Sequence, residues 1–251
     1  MAVVRYFGEG GTMARSKQAT RADMAALRRE ITALRDDLRA MTDGRRDMRR
    51  AGELEATLLS AALVKERMPT AKPFKSPRRT LEHALTLAPG GGMALEFGVY
   101  TGSTLEVIAH ARDKKAVYGF DSFEGLPEAW RPGFPAGYFT LDNLPEVPGA
   151  ELVVGTFADT LPGFVAEHPD PVDFLHVDCD LYSSTTTVLD HVGPLLHPGS
   201  IVVFDEYFNY PGWPEHEHRA WEEYVARTGL RFEYVAYTIN DEQVAVKILS
   251  R

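Results

Sequence analysis

The chain reads as an α/β protein: a doubly wound, mostly parallel sheet of seven strands with an N-terminal helical extension. Three observations predict this. Short apolar runs alternate with helical patterns from Ala94 to Phe204, and parallel strands need helical crossovers. The stretch Ala94 to Thr104, ALEFGVYTGST, turns at Gly98 and Gly102 into a helix-like segment, as the first strand, loop and helix of an open sheet do. Two final runs, Phe232 to Thr238 and Val244 to Leu249, joined at Asn240-Asp241-Glu242, read as a closing hairpin.

Taken in order, residues 1–20 contain Gly, Ser and Thr without a period and are expected to be a poorly ordered tail. Residues 21–68 form the helical extension. Its apolar positions Met24, Leu27, Ile31, Leu34, Leu38 and Met41, with Met48 after Arg45 takes one slot, make a heptad seam. Such a seam fits a coiled coil joining copies of the chain, so a homo-oligomer is expected; the plainer reading is a helix laid on the domain's own surface. Gly44 and Gly52 break the seam, and Leu54 to Met68 resumes as another helix. The segment 69–77, PTAKPFKSP, carries three prolines and cannot continue it, so it reads as a linker or lid.

Residues 78–251 make the main domain. A helix over Arg78 to Leu87 ends at Pro89-Gly90-Gly91-Gly92 and leads into the sheet. Strands are predicted at Ala94 to Val99, Ala116 to Asp121, Leu152 to Gly155, Asp173 to Val177 and Ser200 to Phe204, before the two hairpin strands. Helices fall between them at Leu105 to Ala111, Leu161 to Glu167 and Thr185 to Leu196, and a last one at Glu217 to Thr228.

Composition narrows the function. At 251 residues, with 44% hydrophobic and 25% charged residues, the chain suits one α/β domain with an appendage. No stretch approaches the roughly 18 apolar residues of a membrane span, the first residues, MAVVRYFGEGG, show no long apolar run followed by a small-residue cleavage site, and the single cysteine, Cys179, fits a reducing compartment. A cytoplasmic location without membrane partners is expected. Residues 14–50 hold eleven Lys and Arg against six Asp and Glu, a net of +5, which leaves −14 of the overall −9 to residues 51–251. So acidic a catalytic part repels polyanions, which argues against nucleic acid.

The glycine loop suggests the cofactor. Dinucleotide sites need G-x-G-x-x-G to bring backbone amides to a pyrophosphate. Here the pattern is G-x-x-x-G with Glu96 inside the strand, which would repel a pyrophosphate and suit a cationic amine and sulfonium. Asp121, one strand later, stands where doubly wound folds place a carboxylate on ribose hydroxyls. Together they favour S-adenosylmethionine over a nicotinamide. Asp178, Asp180, Asp205 and Glu206 end later strands, so all four converge on one edge, where a divalent cation such as Mg²⁺ would relieve their repulsion. Aromatic runs at Trp130, Phe134, Tyr138, Phe139 and at Tyr207, Phe208, Tyr210, Trp213 suit a sugar ring or an extended apolar acceptor.

The segments LEFGVYTGST, YGFDSFEGLPEAW, VVGTFADTLP, FLHVDCDLYSSTTTVL and IVVFDEYFNYPGW, between about Leu81 and Leu249, resemble the class I S-adenosylmethionine-dependent methyltransferases. Within them the chain is similar to the macrocin O-methyltransferase (TylF/MycF) family, which O-methylates sugars of macrolide and aminocoumarin antibiotics. The resemblance implies a Rossmann-like methyltransferase domain acting on a hydroxyl of a glycoside or other small molecule. It assigns Asp178, Asp205 and Glu206 to the metal, the last often Asp in that family, and Asp180 to the general base. It also implies a lid near residues 69–77, which would bring Met68, Thr70 or Lys75 to the site.

Around the methionyl part of the cofactor we expect Glu96, Gly98, Tyr100, Thr101, Gly102 and Ser103, with Asp178 nearby. Asp121 is expected on the ribose with Ser122 and Phe123 beside it, and Gly155, Thr156 and Phe157 resemble the stretch that borders adenine. His216 and His218 rival Asp180 as base, because imidazole titrates near neutrality; their spacing on a helix points them apart, so at most one faces the site. His176 reads as a satisfied core histidine. Two other function classes remain open: a nicotinamide-dependent oxidoreductase on the same sheet, and a non-catalytic module that binds the cofactor within a complex.

Overall fold

A computed structural model describes residues 26, 28–33, 35–36, 47–113 and 115–250. The chain divides into two units, Met1–Ala51 and Gly52–Arg251. In the first, the described residues between 26 and 36 are helical, and Ile31 and Met48 are exposed. The predicted tail and the seam positions Met24, Leu27, Leu34, Leu38 and Met41 lie outside the described residues.

Helix α1 (Met48–Arg67) runs through Gly52 without a break. The expected interruption there is absent because a helical glycine costs only about 1 kcal/mol. The second unit continues with β1 (Lys72–Phe74), α2 (Pro77–Leu87), β2 (Met93–Phe97), α3 (Ser103–Ala111), β3 (Val117–Asp121), β4 (Glu151–Val154), α4 (Phe157–Glu167), β5 (Val172–Val177), α5 (Tyr182–Val192), β6 (Leu196–Phe204), α6 (Glu217–Thr228), β7 (Arg231–Thr238) and β8 (Val244–Ser250). Among the described residues no helix is long and apolar enough to cross a membrane.

The sheet has eight strands in the order β1-β7-β8-β6-β5-β2-β3-β4, one more than the seven expected. The addition is β1, inside the proline-rich segment read as a linker; Lys72, Pro73 and Phe74 pair in parallel with Ala236, Tyr237 and Thr238. Three residues show no usable period, and Pro73 is tolerated because the strand lies at an edge. Only β8 runs antiparallel to its neighbours, β6 and β7.

Strands β2 and β5 are buried along their whole length, so their apolar side chains divide between two cores. Ala94, Phe174, Ile201 and Val203 face Leu81 and Leu85 of α2 and Leu105 and Ile108 of α3. Leu95, Phe97, Leu175, Val177 and Phe204 face the side of α4, α5 and α6, with Leu161, Leu189 and Trp221. Connections from β2 proceed toward β3 and β4, and those from β5 toward β6, so the winding reverses between β2 and β5. Ligands of open α/β sheets lie outside the carboxyl ends of strands at such a reversal.

Candidate active site

The ladder continues past the regular strands and aligns their ends. The Gly98 amide donates to the Phe120 carbonyl (2.9 Å), Asp178 to Phe97 (2.9 Å), Asp205 to Val177 (2.9 Å) and Gly155 to Asp121 (3.0 Å). Gly98 has φ +91°, and a Cβ built on it would stand 1.7 Å from the Asp178 carbonyl oxygen. Only glycine lets the loop after β2 pass β5 this closely. Asp121 fixes the same loop: its Oδ2 accepts the amides of Val99 and Tyr100, both at 2.9 Å, and its Oδ1 that of Phe123 at 2.8 Å.

Beside this loop the carboxylates gather. Oxygen atoms of Asp178, Asp205 and Glu206 lie within 4.8 Å of one another, and a second group of the same span joins Glu96 and His176 to Asp178. Burial, then the charge of Asp205, raises the pKa of Asp178 and of Glu206 well above the carboxylate range. Burial also raises Asp180 to about 7, with Arg131 opposing it. Burial pushes Asp205 up too, but its contacts with His176 and Gln243 prevail and its pKa is lowered. Gln243 donates to Asp205 Oδ2 at 3.1 Å. Glu217, buried at the start of α6, accepts the Glu206 amide at 3.0 Å. For His176, burial disfavours the imidazolium, yet Asp205 and Glu96 outweigh it and raise the pKa well above the ordinary value.

The donor set fits a hard divalent cation: three carboxylates converge, and Glu206 Oε2 is buried without a hydrogen-bond partner. Behind the loop, Glu96 Oε2 is a second buried carboxylate oxygen without a hydrogen-bond partner.

A cleft of about 770 Å³ opens over these strand ends. Of the predicted residues, Gly98, Asp121, Ser122, Gly155, Thr156, Phe157, Asp178, Asp180 and Glu206 line it, together with Trp130, Phe134 and Phe139 of the first aromatic run. The others stand back. Glu96 is fully buried behind the loop, and Asp205 reaches the site through its distance to Asp178 and Glu206. Tyr100 is exposed with its ring edge-on to Phe139, 5.3 Å between centroids, and neither Thr101 nor Gly102 lines the cleft. Ser103 instead borders a smaller pocket between α2 and α3. Phe123 is buried in the core on the α3 side. His216 is half-buried near Tyr210, 6.1 Å between centroids, outside the cleft lining. Met68 is buried, Thr70 and Lys75 are exposed, and none of the three lines the cleft.

Several lining groups escaped sequence reasoning. The Arg131 guanidinium lies 3.9 Å over the Trp130 ring and 4.6 Å over that of Tyr210, and donates to both oxygens of Glu242 at 3.0 Å. Nothing local marks it, because Glu242 is 111 residues away. Ser183, Ser184 and Thr187 of α5 form a hydroxyl-bearing wall, and Ser183 donates to Glu128 at 2.6 Å. Their presence in the SSTTT run was a visible signal.

Residues 95–207, from β2 to just past Glu206, match a family described as a methyltransferase domain. The 8-demethyl-8-(2,3-dimethoxy-alpha-L-rhamnosyl)-tetracenomycin-C 4'-O-methyltransferase of Streptomyces olivaceus is 29% identical over 147 residues, 46% of this chain and 53% of that one. The chain thus spans about half the length of that relative. Among solved structures, the calicheamicin methyltransferase CalS11 aligns over 77% of this chain and 91% of its own at 22% identity, with a TM-score of 0.56. The O-methyltransferase NovP aligns over 69% and 79% at 24% identity, with a TM-score of 0.52. Both share the fold.

Proposed function

We propose that the chain is an S-adenosylmethionine-dependent O-methyltransferase, Mg²⁺-assisted, acting on a hydroxyl of a sugar-containing natural product. One observation carries the reading: the glycine loop clamped by Asp121 borders the carboxylates of Asp178, Asp205 and Glu206 at the reversal of the sheet. The match to a methyltransferase domain and the rhamnosyl O-methyltransferase relative support it.

S-adenosylmethionine supplies an electrophilic methyl group on a sulfonium. Gly98, Asp121 and Ser122 would hold its amino acid and ribose parts and Gly155 to Phe157 would border the base, all of them lining the cleft, with the carboxyl of Glu96 behind the loop on the side of the ammonium. Asp178, Asp205 and Glu206 would hold a divalent cation, which would supply Lewis acidity toward a hydroxyl of the acceptor. Asp180, which lines the cleft beside these carboxylates, would take the hydroxyl proton. Bound there, the cofactor would supply a methyl carbon to the acceptor oxygen, with the C–S electron pair leaving on sulfur, so position and charge are what the chain's own residues would contribute. Trp130, Phe134 and the hydroxyls of α5 offer an apolar face and a polar edge to a sugar ring.

Incubation of the protein with methyl-labelled cofactor and a panel of rhamnosylated and other glycosides, with and without EDTA, tests this. Label is expected in an O-methylated product, with transfer falling in EDTA. Cofactor binding without transfer to any acceptor contradicts catalysis and favours a binding module.

A further inference from the structure

We propose that His176 is a positioning residue that ties the cofactor carboxylate Glu96 to the cation carboxylate Asp205, so that occupancy of one site is felt at the other. The inference rests on the function proposed above.

The register builds this bridge. Glu96 of β2 stands opposite His176 of β5, which stands opposite Val203 of β6. Side chains two apart on a strand share a face, so Asp205, two residues beyond Val203, comes to the same side as His176. The imidazole, 1% exposed, has its Nδ1 2.8 Å from Glu96 Oε1 and its Nε2 3.5 Å from Asp205 Oδ1. One rigid ring therefore spans two carboxylates of different proposed duty. Groups that hold metal ligands from behind are typically worth about 10- to 100-fold in metal affinity, and any coupling between two sites is reciprocal.

Substitution can separate the two contacts. The amide of His176→Asn reaches about as far as Nδ1, and that of His176→Gln about as far as Nε2. Titrations of the full chain with S-adenosylhomocysteine by calorimetry, and with Mn²⁺ by electron paramagnetic resonance, read the two sites apart from activity. In the wild type, S-adenosylhomocysteine should tighten Mn²⁺ binding. His176→Asn should keep the S-adenosylhomocysteine affinity within about twofold and lose about tenfold in Mn²⁺ affinity; His176→Gln should do the reverse, and both should lose the mutual tightening. A merely structural or charge-compensating role lowers both affinities together in both variants, and that outcome, or no change in either, overturns the proposal. A wild type that binds S-adenosylhomocysteine but not Mn²⁺ overturns the coupling alone, whereas one that binds no S-adenosylhomocysteine removes the function reading itself.

Discussion

Asp121 accepts three backbone amides with one carboxylate, and an amide side chain of the same shape cannot, because its nitrogen is a donor. Hydrogen bonds to a charged group contribute about 1.5–3 kcal/mol each, so Asp121→Asn should destabilise the fold by about 2 kcal/mol and weaken S-adenosylhomocysteine binding about tenfold. Denaturant unfolding and calorimetry check both; unchanged values would mean the clamp does not shape the loop. This aspartate was legible in the sequence because it ends an apolar run one strand after the glycine loop. The amides it organises were not legible, since an expected ribose contact says nothing of them. The burial of His176 is legible in its apolar strand, but its second partner depends on a register that no local pattern reveals.

At the level of elements, α1 tolerates Gly52 without needing it. A Cβ there would lie 3.7 Å from Pro211 Cγ, ordinary contact distance, so Gly52→Ala should raise stability by about 0.5–1 kcal/mol, read as a higher melting temperature. The connection between β3 and β4, residues 122–150, contains no helix or strand and supplies one wall of the cleft. The Arg131–Glu242 pair pins it to the turn before β8. Because both side chains are partly exposed, Glu242→Gln should cost at most about 1 kcal/mol of stability. It should nonetheless speed amide hydrogen exchange over residues 124–140; unaltered exchange there would contradict the pin. The long apolar strands could be read from composition, whereas β1 could not, because its pairing with β7 is what makes it a strand.

Across the whole molecule the acidic cluster sets a pH dependence. Asp178, Glu206 and Glu217 are raised well above the carboxylate range and Asp180 to about 7, chiefly by burial. The folded state therefore holds protons that the unfolded chain releases, so stability falls as pH rises from about 4 toward 7. His176 acts in the same sense: its raised pKa stabilises the fold at low pH, and that contribution is lost as pH rises through the folded value. Asp173 and Asp205, both lowered, contribute above about pH 4 and lose that contribution below it, outside this window. In EDTA the melting temperature should fall between pH 5 and 8, and Mg²⁺ should flatten the slope. A flat profile in EDTA would contradict a jointly buried cluster. The convergence of Asp178, Asp180, Asp205 and Glu206 is legible because parallel strands share one edge, whereas Glu217 carries no such signal, and the burial that sets the titration arises only in the folded domain.

Calorimetric titration of the full chain with S-adenosylhomocysteine, comparing wild type with Gly98→Ala, tests the central claim most directly. The account predicts saturable one-site binding by the wild type and none by the variant, whose added methyl group collides with the Asp178 carbonyl. A wild type that takes up no S-adenosylhomocysteine would contradict it.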